Sequence, residues 1–290
     1  MNPNALSIRS DTRSEQGVSL VELAIVLAVL GFLAALFLPI TNTMMDNNRR
    51  QETRAKLEAL ESAIARFVMT TRRLPCPADG ALLLSDTDYG RESAASTTTG
   101  NCTANELLNG VVPWRTLAVS QDAATDAWGN FVSYRVWGGA ALGVNSLTQV
   151  TPSGMNMSTL DPATAGTVSN WLTDRGFRAC NASPCAVGSA AELASKTNGN
   201  GVAYFLISHG ANKLGAFNSN GTLITTANGP GPGSLETINR NGQALRTTTP
   251  TDFYMDADFS ENPASYYDDI VLRPTVIKVA LDAGLGPRVP

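Results

Sequence analysis

The sequence predicts an α+β fold in which one long N-terminal helix packs on an antiparallel β-sheet head. Three observations carry this prediction. Residues 18–40 form an apolar run with a single charge, and an apolar stripe at helical spacing continues beyond that run. After Leu74-Pro75, short β-like stretches alternate with turns rich in Gly, Asn, Ser and Thr. The chain therefore divides into a helical N-terminal part and a β-rich remainder.

The first element is the apolar run, which reads VSLVELAIVLAVLGFLAALFLPI over residues 18–40. As a helix this run would extend about 35 Å, enough to cross a bilayer core of about 30 Å. A secretory signal peptide would instead have a shorter apolar core, followed by small residues at a cleavage site. We therefore expect residues 18–40 to form a transmembrane helix.

Glu22 is the one charged residue of this run. An acidic group at the centre of a transmembrane helix costs about 2.5–3.5 kcal/mol, so its presence needs a reason. Because Glu22 lies close to the start of the run, its carboxylate can reach the membrane interface. The alternative is that it pairs with a cation inside the membrane, such as the free amine of another chain.

The string Gly17-Val18-Ser19-Leu20-Val21-Glu22 resembles the processing site of type IV prepilins and type II secretion pseudopilins. The resemblance implies that a prepilin peptidase cuts between Gly17 and Val18 on the cytoplasmic side and methylates the new N-terminus at Val18. Residues 1–17 would then be a leader peptide, and 18–40 the helix through which subunits polymerise. Glu22 would face the N-terminal amine of a neighbouring subunit.

The same resemblance implies a pilin-like fold and a structural role without enzymatic activity. We expect a single-pass protein of the bacterial inner membrane with a periplasmic head, which enters a pilus or a secretion pseudopilus. The long head favours a minor subunit. The expected partners are other pilin or pseudopilin subunits, the prepilin peptidase, an inner-membrane assembly platform and membrane lipid.

Basic residues oppose this topology, because Arg49, Arg50, Arg54 and Lys56 follow the apolar run and by themselves would place the C-terminus inside. The cysteines and the processing motif indicate a periplasmic head, and we give them more weight.

Residues 41–73 are predicted to form an amphipathic half of the same helix. The helix should end near Arg73, because Leu74-Pro75-Cys76-Pro77 cannot continue it. Its apolar positions lie three or four residues apart and are expected to pack on a sheet. They are Leu57, Leu60, Ile64 and Phe67.

Residues 74–290 are predicted to form an extracytoplasmic, globular, β-rich head. A shorter helix is expected over 161–176, with Asp161-Pro162 as its cap and first residue. Residues 91–101 and 226–234 are expected to be loops, since they are poor in apolar residues. The β-like stretches are 131–137, 201–208 and 270–272.

Three strings in the head also resemble segments of pilin-like proteins. Asp126-Ala127-Trp128-Gly129-Asn130-Phe131 resembles a turn that precedes a strand in the major pseudopilins. Ile207-Ser208-His209-Gly210 and Tyr267-Asp268-Asp269-Ile270-Val271 resemble segments of larger pilin-like proteins. These strings support the resemblance but define no activity.

The four cysteines all follow the apolar run, and an oxidising compartment would allow them to pair. Four cysteines permit three connectivities. The short CNASPC loop favours Cys180 with Cys185, which leaves Cys76 with Cys102. No CxxC is present, so a zinc site is not expected.

Composition and motifs exclude several functions. A net charge of -4 and a pI near 5.1 leave no basic field for a phosphate backbone, so we expect no nucleic-acid partner. His209 is the only histidine, and no sequence spacing gives it catalytic partners. Motifs such as G-x-S-x-G and H-E-x-x-H do not occur. We therefore expect no enzyme.

Acidic residues cluster near the C-terminus between 252 and 269, and calcium prefers several carboxylate oxygens. Some major pseudopilins bind calcium in a C-terminal loop. Ca²⁺ is therefore the one cofactor hypothesis, with Asp268 and Asp269 as first candidates and a solvated acidic loop as the alternative.

Two other functions remain open from the sequence. An adhesin-like minor pilin would use its large head to bind a surface or ligand, with an exposed aromatic patch at Trp114, Trp137 or Trp171. A membrane-anchored periplasmic enzyme would need a converging polar cleft in the head.

Overall fold

The computed structural model describes residues 19–93, 102, 110–138, 146–150, 154–227, 233, 235–241 and 253–289, and gives the backbone alone for 34–43. The chain divides into two compact units, Met1–Asn48 and Arg49–Pro290. The fold is mixed α+β with antiparallel sheets, as the sequence predicts.

Helix α1 spans Leu20–Thr71. Its end lies close to the predicted end at Arg73, because Arg72 adopts a positive φ of 59° and two prolines follow within the next five residues. In the first unit, every large apolar side chain of α1 that the structure describes is exposed, from Leu20 to Leu33 and at Met44 and Met45. Within the described part of the chain, we find no helix whose length and apolar character suffice to cross a membrane.

In the second unit, α1 contributes one buried stripe to the core. Leu57, Leu60 and Ile64 are buried as predicted. Phe67 is only half-buried, and Val68 is fully buried instead. A step of four residues from Ile64 keeps Val68 on the buried face of the helix.

The central sheet consists of β2 (Ser133–Val136), β5 (Tyr204–Ser208) and β8 (Ile270–Leu272), in the order β2-β5-β8. Both pairings are antiparallel, with Ser133 opposite Ile207 and Ser208 opposite Ile270. Every residue of β2 and β5 is buried, so both faces of these strands are covered. These three strands lie within the three stretches that the sequence predicts.

The described residues also form two smaller sheets. Strands β1 (Asn130–Phe131) and β6 (Phe217–Asn218) pair antiparallel. Strands β3 (Arg178–Cys180), β4 (Glu192–Ala194) and β7 (Phe253–Met255) form the order β4-β3-β7. Here β3 and β4 are antiparallel, but β3 and β7 are parallel, which differs from a purely antiparallel head.

Within the described residues, three short α-helices follow α1: α2 (Thr167–Leu172), α3 (Glu236–Asn239) and α4 (Val276–Asp282). The helix predicted over 161–176 was wrong in its extent, since α2 covers only its middle. Asp161 does not cap a helix but accepts the amide of Ala163 at 2.8 Å within a turn. Helix α4 was not predicted, although Thr275 caps it by accepting the amide of Lys278 at 3.4 Å.

The structure contains both disulfides that the sequence favours, Cys76–Cys102 and Cys180–Cys185. The predicted loops over 91–101 and 226–234 lie mostly outside the described residues.

Candidate functional site

The three head strings singled out in the sequence meet at one edge of the central sheet. Because β2-β5-β8 is antiparallel, the C-terminal end of β5 lies beside the starts of β2 and β8. His209 directly follows β5, Asp268 and Asp269 directly precede β8, and Asp126 lies just before β1. The polar side chains of this edge are buried.

Asp126 holds the turn that leads into β1. Its Oδ1 accepts the amides of Trp128 and Asn130, each at 3.0 Å, and its Oδ2 accepts the hydroxyl of Ser208 at 2.6 Å. Gly129 allows the tight turn with its φ of 83°. Burial raises the pKa of Asp126, while these hydrogen bonds act in the opposite direction. Asp126 thus connects the turn with the end of β5.

His209 lies between a serine and an aspartate. Its Nε2 is 2.9 Å from Ser133 Oγ, and its Nδ1 is 3.5 Å from Asp269 Oδ1. Asn241 Nδ2 donates to Ser133 Oγ at 2.9 Å, which leaves the serine proton available for Nε2. A neutral His209 then carries its own proton on Nδ1, facing Asp269.

This order of serine, histidine and aspartate is that of a hydrolase triad, which sequence spacing alone did not reveal. Ser133 and His209 are however buried, with 0% and 1% of their surfaces exposed. The Nε2 contact thus pairs His209 with a buried serine hydroxyl, and neither side chain is open to solvent.

A buried arginine supports the same edge. The Arg135 guanidinium donates to the Gly110 carbonyl at 2.9 Å and to Asn241 Oδ1. Asn241 in turn donates to Ser133 Oγ and to the Gly215 carbonyl. Asn241 thus fixes the position of Ser133.

Asp268 is enclosed by the turn that follows β5. Its Oδ2 accepts the amides of Ala211 and Asn212, at 2.7 and 2.9 Å, and the Tyr266 hydroxyl at 3.0 Å. A Cβ on Gly210 would lie 2.6 Å from the Asp268 carboxyl carbon, so only glycine permits this close approach. The second oxygen, Oδ1, is buried and has no hydrogen-bond partner.

Glu236 and Asp269 complete a group of three buried carboxyls. Glu236 Oε2 accepts the Asn212 side-chain amide at 2.7 Å, and its Oε1 accepts the Asp268 amide at 3.2 Å. Asp269 Oδ2 accepts the side-chain amide of Asn239 at 2.9 Å, whereas its Oδ1 is buried without a hydrogen bond. One oxygen from each of the three carboxyls lies within 4.8 Å of the others. We call Glu236, Asp268 and Asp269 the carboxylate cluster.

The electrostatics of the carboxylate cluster disfavour three negative charges. Burial, together with the neighbouring carboxyls of Asp268 and Asp269, raises the pKa of Glu236 to about 9. Burial also raises the pKa of Asp269, while His209 beside it acts in the opposite direction. Among the described residues, no Lys or Arg lies within ion-pair distance of these carboxyls. The arrangement can hold either protons or a cation.

The structure brings the two predicted calcium candidates, Asp268 and Asp269, together, and they are buried rather than part of a solvated loop. Sequence analysis missed Glu236, which lies on the four-residue helix α3. It also missed the partners of His209, because Ser133 and Asp269 are distant from it in sequence. The three head strings were the one sequence feature that pointed to this site, since each contributes a polar side chain to this edge of the sheet.

At the N-terminus, Glu22 lies in the first turn of α1 and is exposed. Ser19 Oγ accepts the amide of Val21 there, at 3.4 Å. The predicted cleavage residues Gly17 and Val18 lie outside the described residues.

The aromatic residues proposed for an adhesin do not form an exposed patch. Trp114 stacks on Phe131 with ring centroids 4.8 Å apart, and Trp137 packs edge-on against Phe177. Both tryptophans belong to the core. Trp171 is half-buried and lies under the Arg175 guanidinium.

Comparison of the chain with protein-family models, with curated proteins and with solved structures finds no match.

Proposed function

We propose that this chain is a structural subunit, and a minor one, of a type IV pilus or a type II secretion pseudopilus. The observation that carries the proposal is the start of α1, where exposed apolar side chains surround a single carboxylate. Leu20 is 86% exposed and Phe32 67% exposed, and Glu22 lies among such residues.

Exposed apolar surface of this kind is unfavourable in water, so we expect another molecule to bury it. The exposed residues between Leu20 and Leu33 occupy consecutive positions and therefore all sides of the helix, whereas the helix of a soluble monomer shows one apolar stripe. Lipid tails before assembly, and the corresponding helices of neighbouring subunits after assembly, would bury this surface. In this proposal residues 18–40 anchor the subunit in the inner membrane and then form the filament core.

Glu22 gives the assembly its register. A carboxylate within an apolar helical bundle is costly unless a cation pairs with it. Cleavage after Gly17 would create a free amine on Val18, and a neighbouring subunit could present that amine to Glu22. An unpaired carboxylate would penalise other registers, so the pair would select one arrangement.

The head fits an extracytoplasmic location. Both disulfides, Cys76–Cys102 and Cys180–Cys185, suit an oxidising compartment such as the periplasm. We propose that residues 74–290 remain periplasmic or on the filament surface, and that residues 1–17 are removed in the cytoplasm.

The test is co-expression of the full chain with a prepilin peptidase, followed by intact-mass measurement of the product. We expect loss of residues 1–17 and gain of one methyl group. A Gly17→Val variant places a branched side chain at the border and serves as the uncut control. A wild-type chain that stays uncut, or that is cut behind residue 40, would refute the proposal.

A further inference from the structure

We propose that the outer edge of strand β8 binds an extended segment of a partner polypeptide as an added β-strand. The segment would carry both an acidic and a basic side chain. The site lies within the unit Arg49–Pro290, so the inference does not depend on the filament proposal.

The direction of the hydrogen bonds in the central sheet follows from the contacts of β2. The amide of Tyr134 donates to the Gly110 carbonyl at 3.1 Å and therefore points away from β5. Backbone groups alternate in direction along a strand, so those of the preceding residue, Ser133, point toward its partner Ile207. Ile207 thus directs its own amide and carbonyl to β2 and not to β8.

The same alternation leaves the middle of β8 open. The two adjacent residues of β5, Leu206 and Ser208, pair with Leu272 and Ile270 of β8. Val271 lies between these two and points its amide and carbonyl away from β5, where neither group has a hydrogen-bond partner among the described residues. An unpaired strand edge is a template on which another extended segment can form hydrogen bonds.

A groove lies beside this edge. Its cavity has a volume of about 340 Å³ and is lined by all three residues of β8. Residues of α1 between Arg50 and Glu58, and the segment 256–259, also line it. None of the described residues of β2 or β5 lines the groove, so it lies on the open side of β8. Its volume falls within the range of about 300–1,000 Å³ that is typical of binding pockets.

The charged side chains of the groove favour a polypeptide over a ligand that carries charge of one sign. Arg54, Glu58 and Asp258 are exposed and form no ion pair within the described part of the chain. Asp256, in contrast, is paired with Arg273 at 2.6 Å. The two carboxylates would repel a polyanion, whereas a peptide can present an acidic side chain to Arg54 and a basic one to Asp258.

Addition of a strand would divide recognition between the backbone and the side chains. Hydrogen bonds to the backbone of Val271 would contribute affinity for any extended segment, and the charges of the groove would select its sequence. Phe259 is 51% exposed and lies under the Arg50 guanidinium, with 3.6 Å between Cζ and the ring centroid. This ring offers an apolar contact to a side chain of the added strand.

The probe is a phage-displayed library of linear peptides, selected on the full chain in a mild non-ionic detergent. We expect the selected peptides to share an acidic and a basic residue among β-branched residues. One selected peptide is then synthesised, and its Kd is measured by fluorescence anisotropy. A version with proline at its centre lacks one amide for strand pairing and should bind about tenfold more weakly.

Variants of the chain locate the peptide in the groove. Arg54→Gln and Asp258→Asn each remove one exposed charge and should weaken binding about two- to fivefold. Arg66→Gln, on an exposed position of α1 outside the groove, is the matched control for the arginine. Glu261→Gln, an exposed carboxylate outside the groove, is the control for the aspartate. Both controls should leave Kd unchanged.

Hydrogen–deuterium exchange, followed by mass spectrometry, tests the backbone contact. Bound peptide should slow exchange at the Val271 amide about tenfold. The inference would be overturned if no peptide is selected above the level of the bare support, or if Arg54→Gln and Asp258→Asn together leave Kd unchanged. Unchanged exchange at Val271 would overturn it as well. Dimers of the full chain that these two substitutions abolish would overturn it in favour of a second copy.

Discussion

Single buried carboxylates connect distant parts of this chain because each accepts several hydrogen bonds. Asp126 accepts from two amides of its own turn and from Ser208 on β5. Asp268 accepts from two amides of the turn after β5. These contacts matter for the stability of the fold because the donors are buried. A buried donor that loses its carboxylate acceptor cannot form a hydrogen bond with water instead.

Replacement of Asp126 by alanine should therefore be costly. The Asp126→Ala change leaves the Ser208 hydroxyl and the Asn130 amide without acceptors in a buried site, and we expect a loss of about 2–3 kcal/mol of unfolding free energy. Asp161→Ala is the matched control, because that aspartate accepts similar turn contacts from Ala163 and Thr164 on the surface. We expect it to cost about 0.5 kcal/mol or less. Equilibrium urea unfolding followed by tryptophan fluorescence measures both, and equal losses would contradict the argument.

Elements whose pattern is local could be predicted from the sequence, and elements set by distant contacts could not. The stripe Leu57, Leu60 and Ile64 and the β-like runs that became β2, β5 and β8 are visible in short windows. Strand β7 pairs parallel with β3, a contact that no local pattern indicates. Helix α4 could have been found, since Thr275 is a recognisable cap and its buried positions Val276, Val279 and Ala280 have helical spacing.

The candidate site, too, could be predicted only where its residues form a local sequence pattern. The strings around His209 and Asp268 are recognisable in the sequence, but their convergence depends on the strand order β2-β5-β8. Glu236 carries no local signal, because a glutamate in a four-residue helix resembles any surface glutamate. Only the folded chain shows that it is buried with Asp268 and Asp269.

At the scale of one element, the buried stripe of α1 should dominate the contribution of this helix to stability. Leu60→Ala removes a side chain with 0% exposure and should cost about 2–5 kcal/mol. Met69→Ala, on an exposed face of the same helix with 56% exposure, should change stability by about 0.5 kcal/mol or less. Urea unfolding of the full chain in detergent separates the two cases. A loss at Leu60 no larger than that at Met69 would show that α1 does not share the core.

At the scale of the whole molecule, the two units differ in whether they bury their apolar side chains. The unit Arg49–Pro290 has its own core, two disulfides and a buried polar edge. The unit Met1–Asn48 exposes the large apolar side chains described for it, so its surface is suited to contacts with other molecules. The filament subunit that we propose would need both properties, a stable head and a helix that becomes covered on assembly.

If Glu22 pairs with the amine of a neighbouring subunit, its charge should matter for assembly and not for processing. We expect Glu22→Gln to be cut and methylated like the wild type, but to enter sheared filaments about tenfold less, because a buried charge pair is lost. Immunoblots of the sheared and membrane fractions, in cells with the complete assembly machinery, measure this distribution. Glu52→Gln, also on an exposed position of α1, is the control and should assemble normally. Normal assembly of Glu22→Gln would instead favour a carboxylate that simply reaches the membrane interface, and would leave the register to apolar packing.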